Sequence, residues 1–401
     1  MSNSIKLRRG IALAATCLLA LTACGGSSES TDTTVAASAD TVAASADTVA
    51  VGESATDVAA ARVAKYLQTN STLNVGDAPS SVPAGKTVFY LECGVGVCAE
   101  IRVGVEAAVK ALGWNFKTVA HQDTPESVVA AFDAAIAAKP DVVFWSGDPR
   151  DWIISQLETL ASMDIPVIAW SLPEPYEPGD VVKANILSAD DYYFYGVLMA
   201  DYAVANSANK NIRFVGLPVF PVLSLVQQGF TDELAKICPE CKLETQEVAI
   251  ADLGVNLPGQ IVSALQADKE LDFIVYAFGG MMYGVPDALD AAGLIDQAKA
   301  VSQAGGPMNF DFIANGRHQL GEVALASELL GWRAVDMAVG ILSGGSISKA
   351  PATETIEGHS DIGLNGLPLQ ILQADTIKDP TKAWAGIEGF QDQFLTRWGK
   401  K

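Results

Sequence analysis

Four cysteines pose the first chemical question. Cys238-Pro239-Glu240-Cys241 has the C-x-x-C spacing of a redox dithiol, and with Cys93 and Cys98 it could supply four thiolates to zinc. A redox dithiol belongs at the start of a helix, where the dipole lowers a thiol pKa. Here the motif follows the amphipathic run Leu225–Ile237 and so stands at a helix end. In a chain that opens on an export signal, two close pairs read instead as local disulfides, Cys93–Cys98 and Cys238–Cys241. Other catalytic patterns are thin. His121, His318 and His359 share no metal-ligand spacing, and no serine sits in a G-x-S-x-G elbow. Ala84-Gly85-Lys86 lacks the upstream glycine of a phosphate loop. Gly94-Val95-Gly96 would need its third fingerprint glycine at Ala99. Glu92 and Asp148 could act as the paired carboxylates of a hydrolase, with no motif behind them. No catalytic residue, cofactor or metal ion is expected.

The beginning of the chain reads as an address. Lys6, Arg8 and Arg9 precede the apolar run Ile11–Leu21 and then Leu21-Thr22-Ala23-Cys24. That order describes a secretory signal, and the run falls short of the ~20 apolar residues of a membrane span. The end of the signal resembles that of bacterial lipoproteins, in which a cysteine at the place of Cys24 receives lipid. Diacyl modification gives the two-chain anchoring that holds a protein on a bilayer. Residues 1–23 are thus expected to be a lipoprotein signal peptide. The chain has 26 basic and 47 acidic residues, and all three charges before Cys24 are basic. Taking 3 from 26 leaves 23 basic against 47 acidic, a formal charge of −24. Such a field repels phosphate backbones, so nucleic acid is not an expected partner.

Residues 24–83 read as a lipid-anchored low-complexity stalk and a short arm. Asp40-Thr41-Val42-Ala43-Ala44-Ser45-Ala46 nearly repeats at Asp47-Thr48-Val49-Ala50, but Ala and Val cannot interdigitate as a coiled coil requires. A solvated spacer follows from that composition, with one short helix over Asp57–Leu67. From Lys86 onward, apolar runs of strand length alternate with helical stretches, the pattern of βαβ units and a parallel sheet. Strands are expected at Thr87–Leu91, Asn115–Ala120, Val142–Trp145, Pro166–Trp170, Val182–Ile186, Ile212–Leu217, Glu244–Val248, Phe273–Phe278, Lys299–Ser302 and Glu322–Ala326. Between them fall eight helices: Glu100–Leu112, Pro125–Ala138, Arg150–Met163, Tyr192–Asn206, Leu223–Ile237, Asn256–Ala267, Val285–Ala292 and Leu329–Leu342. Lys86 to Lys401 is longer than the ~250–300 residues at which one core usually splits, so two α/β lobes are expected. Ligands in such sheets bind beyond the carboxyl ends of the strands.

Phe89–Glu92, Gly104 and Gly113-Trp114, then Asp164-Ile165-Pro166-Val167-Ile168 and Gln228-Gly229-Phe230, are landmarks whose order from about residue 84 to 400 resembles the type I periplasmic binding proteins, the ribose-binding and lac-repressor-like receptors. Phe89–Glu92, Gly104 and Gly113-Trp114 look like the family's first strand and helix. Asp164-Ile165-Pro166-Val167-Ile168 is close to its "gIPVi" strand. Gln228-Gly229-Phe230, Ala288–Gly293, Gly331–Asp336 and the terminal Phe394–Gly399 match later landmarks, the last in actinobacterial members. The resemblance implies two Rossmann-like parallel-sheet lobes joined by a three-segment hinge. One lobe would hold about 84–187 and 328–368, the other about 188–327 and 369–401, with crossings near Ser188, Ser327 and Leu369. It also implies a small-molecule solute, the permease subunits of an ABC importer and an extracytoplasmic monomer. DNA-binding relatives carry a helix-turn-helix where this chain has its signal.

The family's usual sugar-reading residues carry over poorly. Val97 and Cys98 stand for two stacking phenylalanines, Ser171-Leu172 for an Asp-Arg pair, and Ser224 for an arginine. Gly279 or Gly280 replaces an asparagine, and Gly305 an aspartate. The strand ends offer instead Trp145, Trp170, Phe220, Phe278, Met281, Met282 and Tyr283, with Glu92, Ser146, Asp148, Ser171, Ser224, Gln303 and Ser327 as polar company. The expected ligand set is Glu92, Val97, Trp145, Ser146, Asp148, Trp170, Ser171, Phe220, Ser224, Phe278, Gly280, Gln303 and Ser327. Aromatic walls with few polar groups suit a small neutral sugar, glycoside or related ring compound. Presentation of a ligand to a sensor kinase, and a lipid-anchored hydrolase, are the rival functions.

Overall fold

The computed structural model describes residues 54–174, 179–345, 347 and 349–401, apart from the side chains of Ser360 and Asp361. The leader, Cys24 and most of the spacer lie outside the described residues. Helix α1 (Ala55–Tyr66) opens on a reciprocal cap in which Ser54 Oγ accepts from the Asp57 N–H and Asp57 accepts from the Ser54 N–H. The helix does not stand free. Arg62 reaches Asp201 at 2.8 Å and Glu233 at 3.0 Å, and the Tyr66 ring meets Phe194 edge-on at 5.5 Å.

The first lobe follows from alternation. It contains β1 (Thr87–Glu92), α2 (Gly96–Leu112), β2 (Asn115–Ala120), α3 (Pro125–Ala138), β3 (Val142–Ser146), α4 (Ile154–Ser162), β4 (Val167–Trp170) and β5 (Val182–Asn185). Its strands lie parallel in the order β2-β1-β3-β4-β5. The central strand β3 is buried along its whole length, and its residues divide by parity. Val142 and Phe144 enter the core shared with α2, whereas Val143 and Trp145 enter the layer under α3 and α4.

The second lobe runs through α5 (Ala189–Asn206), β6 (Asn211–Gly216), α6 (Pro221–Ile237), β7 (Lys242–Glu247), α7 (Leu257–Ala267), β8 (Phe273–Tyr276), α8 (Val285–Ala291), β9 (Lys299–Gln303), α9 (Pro307–Ala314) and β10 (Gln319–Leu325). Helix α10 (Ser327–Leu342) then returns to the first lobe and packs on α2. That crossing is very close. A Cβ at Gly104 would stand 2.1 Å from the Glu328 carbonyl oxygen, and one at Gly331 would stand 2.5 Å from the Val105 nitrogen. A hairpin, β11 (Glu354–Ile356) with β12 (His359–Ile362), precedes β13 (Leu369–Leu372). β13 pairs antiparallel with β10 and completes the order β13-β10-β9-β8-β6-β7.

The end of the chain departs from the expected grouping of 369–401 in one lobe. β13 lies in the second sheet, but α11 (Phe390–Arg397) packs on α10. Trp398 stacks on Trp332 with centroids 5.4 Å apart, and Asp336 accepts from both Arg397 Nε and Trp398 Nε1. Buried aromatic area and a charge-assisted bond pull this segment to the first lobe's helix layer. Both cystines are present, Cys93–Cys98 and Cys238–Cys241. Among the described residues no helix is long and apolar enough to cross a membrane.

Candidate functional site

The carboxyl ends of both sheets converge on one cavity of about 90 Å³. The first lobe contributes the N-terminal turn of α2 and the loops after β2, β3 and β4. The second contributes the start of α6 and the loops after β8 and β9. Hydrophobic and aromatic side chains make up most of the wall. Its volume is smaller than the ~150 Å³ of an enclosed cavity that admits benzene.

Each wall is fixed from behind. Trp170 stacks on Tyr90 at 5.6 Å and 17°, and Tyr90 donates its hydroxyl to the Cys98 carbonyl at 2.7 Å. The Cys93–Cys98 bridge thus ties the end of β1 to the start of α2, whose Cys98 carbonyl anchors the Tyr90 ring behind the indole. Ser171 adopts φ of 64°, and its hydroxyl lies 2.5 Å from that of Tyr192. On the other side, Gln303 donates Nε2–H to the Ala277 carbonyl at 2.8 Å, which leaves its Oε1 buried without a partner. A buried acceptor of that kind is unfavourable unless a ligand hydroxyl or amide donates to it.

A polar network beneath the second lobe's loops sets this geometry. Glu322 is fully buried and accepts from the Gly305 N–H, the Ser302 hydroxyl and Gln319 Nε2–H. Asn309 Nδ2–H donates to the Gly279 carbonyl at 3.1 Å and to Gln319 Oε1 at 3.0 Å, tying the loops after β8 and β9 together. Burial pushes the Glu322 carboxyl up to about 7, against the opposing pull of those donors. Across the cavity, burial likewise raises Asp148 to about 6, opposed by His121.

A family model described as a periplasmic binding protein domain matches residues 94–346, more than half of the chain. The chain belongs to that family. No curated protein matches the sequence. Solved structures share the type I periplasmic binding fold at low identity. An ABC transporter solute-binding protein from Agrobacterium vitis, bound with α-D-tagatopyranose, is 18% identical with a TM-score of 0.61 over 74% of this chain and 97% of that one. A 5-methylthioribose transporter solute-binding protein from Thermotoga lettingae is 14% identical with a TM-score of 0.62, covering 80% and 95%. A periplasmic solute-binding protein from Actinobacillus succinogenes with bound D-allose is 15% identical with a TM-score of 0.60, covering 73% and 98%.

In this periplasmic binding protein, eight residues of the expected ligand set line the cavity: Val97, Ser146, Asp148, Trp170, Ser171, Phe220, Phe278 and Gln303. Five do not. Trp145 is wholly buried, meets Phe132 edge-on at 5.7 Å and donates to Asp148 at 3.1 Å. It shares parity with Val143 and so faces away from the cavity, which corrects its place as a stacking platform. Glu92 is held off the cavity by Arg102 at 3.0 Å. Ser224 points to solvent because the first turn of α6 turns Val222 and Leu223 inward. Gly280 lies behind the Phe278 ring, and Ser327 is buried at the start of α10. Asp123 and Tyr192 line the cavity without having been expected. Asp123 follows β2, where the strand-end rule would have found it, whereas Tyr192 sits on a helix and carries no such signal.

Proposed function

We propose that this periplasmic binding protein is the extracytoplasmic receptor of an ABC importer and captures a small ring-bearing neutral solute between its lobes. The observation that carries this reading is a cavity walled by both lobes, lined by Trp170, Phe220 and Phe278 together with Gln303, whose Oε1 is buried without a partner. Aromatic faces supply contact area to the apolar side of a sugar or glycoside, and Gln303 accepts from a hydroxyl. A solute that touches both lobes stabilises the closed arrangement by its differential affinity. The sugars bound by the structural neighbours support the same class. The hinge of this reading comprises the passages near Ser188, Ser327 and Leu369, with the return of the chain from β13 to α11 as a fourth link between the lobes.

The test is a thermal-shift screen of sugars, cyclitols and glycosides, followed by titration of the best hit. At 100 times its dissociation constant a ligand adds about 2.7 kcal/mol to stability. Phe220→Ala and Phe278→Ala, both only partly buried, are each expected to weaken that hit roughly tenfold while the ligand-free melting temperature stays close to the parent's. Unchanged affinity in both variants removes the cavity from the proposal. An amino acid or a highly charged anion as best hit overturns the ligand class.

We also place the protein on the outer face of the cytoplasmic membrane, anchored through lipid on Cys24 and meeting the permease as a monomer. Cys24→Ser is expected to move most of the protein from the membrane fraction to the medium or to unprocessed precursor, with the domain still folded. Equal membrane retention of the variant, measured by fractionation, rejects the anchor.

A further inference from the structure

Two aspartates and a histidine meet at the first lobe's side of the cavity, and no lysine or arginine lines it among the described residues. His121 and Asp123 follow β2, and Asp148 follows β3. One ligand atom from each lies within 4.8 Å of the others, and all three residues are buried. His121 Nε2 is 3.7 Å from Asp148 Oδ2, too long for a hydrogen bond, and it has no hydrogen-bond partner. An ion bound to both atoms at ~2.0–2.2 Å separates them by about that much when its ligand angle is near 120°.

The surroundings hold each donor in place. Trp145 Nε1–H donates to Asp148 Oδ2 at 3.1 Å, and the Gly94 N–H donates to both oxygens of Asp123 at 3.1 and 2.9 Å. His121 Nδ1 lies 3.2 Å from Asp123 Oδ1 and accepts from the Asp123 N–H at 3.4 Å, which holds that edge of the ring and leaves Nε2 facing Asp148. Two carboxylates thus flank one imidazole, 3.2 Å from Nδ1 and 3.7 Å from Nε2. We propose that His121, Asp123 and Asp148 bind one divalent transition-metal ion of the zinc or manganese class. Mixed imidazole and carboxylate donors suit those ions better than the all-oxygen preference of calcium and magnesium. Asp123 and Asp148 also line the solute cavity, so an open coordination position faces the solute. That last step rests on the function proposed above, whereas the metal site does not.

The experiment strips the purified exported protein with a chelator and titrates it with zinc chloride and manganese chloride in the absence of solute. Calorimetry reads stoichiometry, and tryptophan fluorescence reports through Trp145, which touches Asp148. One equivalent bound with a micromolar or tighter dissociation constant is expected for at least one ion. His121→Ala and Asp148→Asn should each weaken it tenfold or more. His359→Ala, at a histidine paired instead with Asp190, should leave it unchanged. Melting curves of the chelated variants establish that each is folded. Absence of saturable binding for both ions overturns the site, as does equal affinity in His121→Ala and Asp148→Asn. A solute screen that fails while one equivalent of metal binds supports the metal site and overturns only the solute reading.

Discussion

Arg62→Ala is expected to destabilise the protein by about 3–5 kcal/mol at pH 8, the range seen when one partner is removed from a buried ion pair. The loss comes from what is left behind. Arg62 faces Asp201, whose side chain is 0% exposed, and Glu233, whose side chain is 7% exposed. Without the guanidinium, two carboxylates face each other under the docked helix α1, and Lys236 reaches only the outer oxygen of Glu233 at 3.6 Å. The loss should shrink toward pH 6. Burial already pushes the Asp201 carboxyl up to about 7 against the pull of Arg62, so removing that pull leaves Asp201 protonated there. The double variant Arg62→Ala/Asp201→Asn should recover much of the loss, because the amide carries no charge to strand. Thermal unfolding of the three proteins at pH 6 and pH 8 measures this. A single variant within about 1 kcal/mol of the parent at both values would show that α1 docks through Tyr66 and its apolar face alone.

The docking of α1 marks the limit of what the sequence discloses. A helix near Asp57–Leu67 is legible from its acidic start and its periodicity, but its seat against α5 and α6 depends on Asp201 and Glu233, far away in the chain. The ten expected strands all form, because runs such as Val142–Trp145 are apolar on both faces and only a covered parallel sheet accommodates that. Helices α9 and α11 have no counterpart among the expected elements. Within the site, residues at strand ends were legible and their directions were not. Trp145 and Ser146 are adjacent, yet the pleat sends the indole under α3 and the hydroxyl toward the Cys98 sulfur. Counting parity back from Val143 would have separated them. The meeting of His121 with Asp148 was beyond such counting, because β1 lies between their strands and only the sheet order brings them together.

Glu322→Gln is expected to remove a pH-dependent part of the stability. In the folded protein burial raises this carboxyl to about 7, from an ordinary value of 4.5. A raised folded pKa means that the native state binds the proton more tightly than the unfolded chain does. The resulting stability is fully present below about pH 4.5 and is lost as pH rises through about 7. The difference of about 2.5 pKa units corresponds to about 3 kcal/mol between pH 4.5 and pH 8. His318 works in the opposite direction. It is wholly buried between the Tyr276 hydroxyl and the Ala298 carbonyl, and burial lowers it to about 4. Its contribution is therefore lost as pH falls from about 6.5 toward 4, which offsets much of the Glu322 slope in the parent. Comparing parent and variant at each pH isolates Glu322, because His318 is common to both. Glutamine imitates the protonated acid, so the variant should gain on the parent by about 3 kcal/mol as pH is raised from 4.5 to 8. The same substitution bears on function, because Glu322 holds the Gly305 amide in the loop that follows Gln303 at the end of β9. Solute affinity in the variant should accordingly lose whatever pH dependence Glu322 imposes on the parent. Melting midpoints at half-unit steps from pH 4.5 to 8 provide the test. A parent-to-variant difference that stays constant across that range would mean that Glu322 keeps one protonation state throughout.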